Sequence, residues 1–347
     1  MKQPGKEAPI FLRACHREPT EFTPVWLMRQ AGRFLKEYRD LRQQYSFLTL
    51  CKTPELATQV TLLPIEKLGV DAAIIFADIL LPLEPMGIDL EFLEGEGPII
   101  HNPIHGSDDV ERLRPVEAAE DLSFVTDAIR SVCRKLQGAI PVIGFSGAPF
   151  TLASYLIEGK GTQDFVRTKS LMYQDPRSWH RLMERLSAVV ISYLEAQIQA
   201  GAGAVQLFDS WAGCLSPRDY EEYVLPHSQR VLRALSSKAP TIHFVVDTAG
   251  ILELVKAAGG DIIGIDWRID LDEAWKRLGY EVGIQGNLDP AALFGPPNQI
   301  ERRVAAILHA AGSRPGHIFN LGHGVLPRTP VENVIAMVEA VHRLSKG

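Results

Sequence analysis

The feature that most constrains this chain is a strict alternation of short apolar runs with longer segments of helical spacing, sustained along its whole length. The runs fall at residues 24–28, 71–78, 140–145, 204–208, 241–246, 261–265, 281–285 and 317–321. Each is too brief for a helix, and none shows the apolar–polar alternation of a half-exposed strand. Runs of this kind belong to parallel strands covered on both faces. Helical spacing fills the gaps at 35–44, 54–67, 115–136, 217–235, 251–258, 271–278, 298–311 and 330–344. A longer helical region spans 151–200, broken near Gly159–Gly161 and at Asp175-Pro176, and Thr53-Pro54 reads as an N-cap followed by a first-turn proline. Eight strand–helix units predict an α/β chain of the (β/α)8 TIM-barrel class. Residues 1–347 form one domain in this reading, with an N-terminal extension over about residues 1–20. An open doubly wound sheet is the alternative, but no Gly-x-Gly-x-x-Gly turn follows any run, which also argues against a dinucleotide cofactor.

Charge and cysteine usage exclude several classes of function. The net charge is −6 and Lys and Arg form no block, so nucleic acid is not an expected partner. No uninterrupted apolar stretch reaches the ~18 residues of a membrane span, and residues 1–7 are not followed by a signal-peptide-like segment. A cytoplasmic chain with no membrane association is expected. Cys15, Cys51, Cys133 and Cys214 lie far apart without a Cys-x-x-Cys pair, arguing against a disulfide framework or a structural zinc site. His101 and His105 have helical metal-ligand spacing, but Pro103 between them points to a loop.

In a barrel of this class the chemistry sits at the C-terminal ends of the strands. The first run delivers Arg29, with Arg33 just beyond it, and the second ends in Asp78. The third leads into Ser146–Thr151, with Tyr155 one turn further on. The next ends are Asp209-Ser210-Trp211, Asp247-Thr248, Asp266-Trp267-Arg268, Gly286–Pro290 and Gly322-His323-Gly324. The ring is polar all round, yet no end carries a set of metal ligands. An arginine fork at a strand end suits carboxylates, although pairing within the protein fits as well. Asp78 fits an N-cap or an internal partner for Arg29; Asp209 and Asp266 fit helix caps; Tyr155 fits a core aromatic. Between two glycines, His323 reads as a ligand contact, because the backbone there can approach closely.

Pro24-Val25-Trp26-Leu27-Met28-Arg29-Gln30-Ala31-Gly32-Arg33 resembles the N-terminal signature of the uroporphyrinogen decarboxylases, and residues 144–155 resemble their second signature. Collinear blocks at 76–80, 207–213, 285–290 and 320–324 are similar to further family blocks. The resemblance runs from about residue 10 to the C-terminus. It implies a barrel homodimer that needs no cofactor or metal and removes carbon dioxide from the four acetates of the tetrapyrrole uroporphyrinogen. It further implies Asp78, Arg29 and Tyr155 as catalytic residues. Arg29, Gln30, Arg33, Asp78, Tyr155, Phe208, Ser210 and His323 are the implied substrate contacts. Some relatives carry a lysine-containing turn where this chain has Val246-Asp247-Thr248-Ala249-Gly250, so no site residue is carried to that loop. A zinc-dependent corrinoid methyltransferase of the same superfamily would need a His-x-Cys pair, and His243-Phe244-Val245 lacks the cysteine. A non-catalytic tetrapyrrole-binding protein would be expected to lack Asp78 or Arg29.

Overall fold

The computed structural model describes residues 8–93, 97–162 and 164–346. Residues 1–7 of the expected N-terminal extension lie outside the described residues. The described residues form nine strands: β1 (Ala73–Ile74), β2 (Leu90–Leu93), β3 (Gly97–Ile100), β4 (Val142–Gly147), β5 (Ala204–Asp209), β6 (Thr241–Val245), β7 (Ile262–Gly264), β8 (Gly283–Gln285) and β9 (His317–Ile318). Seven of them pair in parallel in the order β1-β4-β5-β6-β7-β8-β9. The expected first strand is reduced to one bridge, in which Val25 pairs with Phe319. On its other side the Val25 carbonyl accepts the Asp71 N–H at 2.8 Å, and the Val25 N–H donates to Asp71 Oδ2 at 2.7 Å. This segment is the eighth stave, hydrogen-bonded on both sides, and it closes the (β/α)8 barrel. It is short for local reasons: Pro24 has no N–H to donate, and Arg29 adopts a left-handed φ of 60° that turns the chain outward.

The barrel interior is layered. Trp26 Nε1 donates to Gln285 Oε1 at 2.9 Å, and Gln285 Nε2 donates to Gln206 Oε1 at 3.0 Å, forming a buried polar layer. Edge-to-face aromatic contacts link Phe208 to Phe145 and Phe244, with ring centroids 5.5 and 5.9 Å apart. Gly264 on β7 makes room for them, since a Cβ there would lie 2.8 Å from Phe244 Cδ2. The opposite end of the barrel is plugged by the helix Ile10–Cys15, whose Phe11 is fully buried and whose Leu12 approaches Gly203 beside β5. Part of the supposed extension therefore belongs to the core, and the C-terminal mouth is the open end.

Most helices fall where the spacing predicts, and the departures have physical causes. Thr53 occupies the N-cap position of the helix Pro54–Leu68, but its hydroxyl makes no cap hydrogen bond. The helical reading of 217–235 divides at Val224 into Pro217–Tyr223 and Leu225–Leu235, the second opening with Pro226. A helix at Phe47–Lys52, capped by Ser46, and the antiparallel hairpin β2–β3 have no counterpart in the sequence reading. Both are shorter than the windows over which periodicity speaks. His101 and His105 sit in an exposed loop after the hairpin, where His101 Nε2 contacts Glu91 Oε2 at 2.9 Å. All four cysteines are unpaired with one another; Cys15 and Cys51 are buried.

Candidate active site

The site is built outward from the turn that ends the Val25 segment. Gln30 is fully buried: its Oε1 accepts the Leu27 N–H at 3.1 Å and its Nε2 donates to the Ala72 carbonyl at 3.1 Å. Those bonds satisfy the backbone where the strand stops, which lets Arg29 leave the barrel wall and reach solvent. Gln30 therefore does not line an open cleft as expected, because its side chain is committed to the wall behind Arg29. Gly324 packs on the Arg29 stem, where a Cβ would lie 2.5 Å from Arg29 Cδ, and the Val325 N–H donates to the Met28 carbonyl at 2.9 Å. Arg33 is exposed, and its carbonyl accepts from Arg39 Nη1 at 2.8 Å.

Asp78 follows β1 at the mouth. Its Oδ1 accepts the Leu80 N–H at 2.9 Å, so the turn-capping role open to it in the sequence is real for that oxygen. It makes no ion pair with Arg29 among the described residues, and Oδ2 has no hydrogen-bond partner there. The residue is only partly covered by protein. Even so, burial pushes the carboxyl up to about 6, against the opposing pull of the Leu80 N–H and the Arg29 charge. Tyr155, on the helix Pro149–Glu158, is half-buried and packs edge-on against Trp211 at 5.7 Å. Burial, then the Asp78 charge, pushes its phenol up to about 12, so it is a neutral donor. Arg29, Asp78 and Tyr155 thus lie within one another's electrostatic reach.

His323 completes this wall. The Gly324 N–H donates to its Nδ1 at 2.7 Å, which assigns the neutral ring's proton to Nε2. Burial lowers its pKa to about 4, and the nearby Arg29 and Arg268 charges oppose protonation further. The flanking glycines permit close approach within the protein: Gly324 meets Arg29, and a Cβ on Gly322 would lie 2.6 Å from the Trp267 backbone nitrogen. Phe208 and Ser210 are half-buried at the end of β5, with Phe208 part of the aromatic cluster.

Neither Asp209 nor Asp266 caps a helix. Asp209 is fully buried and accepts from Thr151 Oγ1 at 3.0 Å. Asp266, also fully buried, accepts from the Asp247 N–H at 2.7 Å, the Arg268 N–H at 3.0 Å and Arg268 Nη1 at 2.6 Å. Arg268 also pairs with Asp247 at 2.8 Å and lies over the Trp267 ring at 4.4 Å. Sequence reasoning placed Arg268 at a strand end without giving it a role; its pairing depends on two loops meeting. The described residues contain no group of three metal-ligating side chains. His243, on the fully buried strand β6, is itself fully buried, and burial lowers its pKa to about 4.

The family model for uroporphyrinogen decarboxylase matches residues 6–344. The chain belongs to the uroporphyrinogen decarboxylase family. It is 57% identical over 336 residues to the uroporphyrinogen decarboxylase of Carboxydothermus hydrogenoformans, covering 96% of each chain. It is 55% identical over 338 residues to that of Sorangium cellulosum, covering 97% of each. Among solved structures, a methyltransferase from Methanosarcina mazei matches with a TM-score of 0.78 and 20% identity, covering 97% of this chain and 99% of that one. A B12-independent methionine synthase from a Shewanella species matches at a TM-score of 0.55 and 11% identity, covering 84% of this chain and 88% of that one. At such identities these structures speak for a shared barrel alone. The uroporphyrinogen decarboxylase relatives, above half identical over nearly the full length, disfavour the methyltransferase alternative.

Proposed function

We propose that this chain decarboxylates uroporphyrinogen, converting its four acetate side chains to methyl groups and yielding coproporphyrinogen in porphyrin and heme biosynthesis. The observation that carries the reading is Asp78, which lies near Arg29 and Tyr155: one carboxylate oxygen is held by the Leu80 N–H, and the other has no hydrogen-bond partner among the described residues. The substrate has four inward-pointing pyrrole N–H donors and eight carboxylates. Asp78 accepts from the pyrrole centre, while Arg29, Arg33 and the neutral donors Tyr155, Ser210 and His323 bind carboxylates. Phe208 supports the face of the macrocycle, and Gln30 acts behind Arg29.

The chemistry then balances without an added electron sink. A proton adds to a pyrrole ring carbon, and the resulting cation is stabilised by the Asp78 charge. The bond between the acetate methylene and its carboxylate breaks, its electron pair flows into the ring, and carbon dioxide leaves. Protonation of the exocyclic methylene and loss of the ring proton give the methyl group, consuming one proton per carbon dioxide released. A guanidinium with a pKa above ~12 is poorly matched to proton donation near neutrality, so Arg29 binds the reacting acetate and orders a water that supplies the proton.

The family match across residues 6–344 supports reading the chain as one domain. We extend the proposal to a cytoplasmic homodimer that works without nucleic acid, membrane or cofactor. The dimer and the absence of a cofactor rest on family resemblance. The net charge of −6 and the lack, among described residues, of a helix long and apolar enough to cross a membrane support the rest. Anaerobic incubation of the purified protein with uroporphyrinogen tests the activity: seven-, six-, five- and four-carboxyl products are expected, and unchanged substrate would overturn it. Light scattering on the eluting protein tests the dimer.

A further inference from the structure

Asp209 is a fully buried carboxyl that the chemistry above does not use. It ends β5 beside Phe208 and Ser210, but successive strand side chains face opposite ways, and Asp209 is directed at the helix layer. Its Oδ1 accepts from Thr151 Oγ1 at 3.0 Å, and Thr151 Oγ1 in turn accepts the Trp211 N–H at 3.3 Å. Thr151 lies one turn before Tyr155 on the same helix, and Trp211 packs on the Tyr155 ring at 5.7 Å. The Ala148 N–H also donates to the Phe208 carbonyl at 2.8 Å, so the start of this helix and the end of β5 are joined at two points. Asp209 Oδ2, by contrast, is buried without a partner, and so are the Ser228 and Tyr220 hydroxyls nearby. The Ser228 hydroxyl is near enough to favour the ionised acid, though without hydrogen-bond geometry, and Tyr220 feels the same charge.

We propose that Asp209 is a positioning residue that sets Tyr155 and Ser210 in the cleft through Thr151 and Trp211, and that it does so as a neutral carboxylic acid. The inference rests on the functional reading given above. An ionised carboxylate sealed from water needs a cation, and none of the described residues offers one to this group. Thr151, Ser228, Tyr220 and Cys214 are its surroundings, and Lys169, the nearest ammonium to Cys214, donates to the Cys214 carbonyl at 2.8 Å. A neutral acid removes the difficulty, because its hydroxyl donates to a neighbouring hydroxyl while the carbonyl oxygen still accepts from Thr151. Burial accordingly pushes this carboxyl up to about 7.

Three variants separate anchoring from charge. Asp209→Asn keeps an acceptor for Thr151 and a donor for the hydroxyls; Asp209→Ala removes both; Thr151→Val breaks the chain at its middle. Amide hydrogen exchange over residues 208–214, measured without substrate, reports the turn directly. Anaerobic decarboxylation below pH 7, where Asp209 is mostly protonated, reports kcat and KM. The alanine variant is expected to exchange faster and to lose about 10–100-fold in kcat with a small change in KM, the scale of a displaced catalytic group. The asparagine variant should restore both readouts to near wild type, and the valine variant should fall between. Wild-type exchange and kcat in Asp209→Ala would overturn the anchor, and Asp209→Asn as damaging as alanine would overturn the neutral form. If the alanine variant does not fold, fast exchange in Thr151→Val supports the anchor and wild-type exchange overturns it. A wild-type protein without decarboxylase activity would sink the functional reading, while the exchange pattern would still decide the anchor.

Discussion

Asp78 and Asp209 are the same residue type at the ends of staves two apart in the sheet, and burial raises both carboxyls, to about 6 and about 7. Each has one oxygen held within the protein, by the Leu80 N–H and by Thr151 Oγ1. They differ in where the second oxygen lies. At Asp78 it lies on a partly exposed residue beside Arg29 and Tyr155; at Asp209 it is sealed among hydroxyls. A raised carboxyl is therefore not by itself a mark of catalysis, and access to the mouth separates a group that can meet a substrate from one that holds others in place.

The sharpest way to break this contrast is Asp78→Asn, which keeps the Leu80 contact and removes the charge. We expect a loss of about 10²–10³ in kcat, the usual scale for deleting a preorganised electrostatic group, with the fold intact by circular dichroism. In the wild-type protein kcat/KM should rise through an apparent pKa near 6 as Asp78 ionises. Near-normal turnover in the variant would remove Asp78 from the centre of the site.

Next in size is Arg29→Lys, which keeps the charge but loses the two-pronged grip on a carboxylate. A fall of about 10–100-fold in kcat/KM is expected, from the ~1.5–3 kcal/mol of a charge-assisted hydrogen bond. Unchanged steady-state constants would count against a carboxylate clamp.

A smaller effect falls on stability and has the same sign at both positions. Each carboxyl binds its proton more tightly folded than unfolded, so each contributes most below the unfolded value of ~3.9. That contribution is lost as pH rises through about 6 for Asp78 and about 7 for Asp209. The asparagine variants should therefore melt like wild type near pH 4 and a few degrees higher at pH 8, with the larger gain at the sealed position. Melting curves in which either variant loses ground as pH rises would contradict the raised values. The smallest expected effect is none: exhaustive chelation should leave decarboxylation unchanged, and a loss restored by added zinc would revive the methyltransferase alternative.

Much of this contrast was legible in the residues. The order of the staves could be read because parallel strands covered on both faces appear as continuous apolar runs. The mouth residues followed from the strand ends. Gln30 was assigned to the cleft by the family resemblance alone, and its amide is consumed by Leu27 and Ala72. The glycines flanking His323 also accommodate Trp267 and Arg29, contacts that no local reading could reveal. The role proposed for Asp209 is not legible in the sequence because its surroundings come from other elements, its partner Thr151 from one helix and the nearby Ser228 and Tyr220 from two more.

The barrel, the order of its elements and the side chains that arrive at its open end can be read from the residues, because apolar periodicity and strand termini are local properties of the chain. Only the tertiary structure decided which of those side chains face the mouth and which are spent on the wall. Exposure, ionisation and hydrogen-bond partners are set by neighbours from other elements, some far along the chain, as when Asn320 Oδ1 accepts the Met28 N–H at 3.3 Å just before Arg29 turns outward.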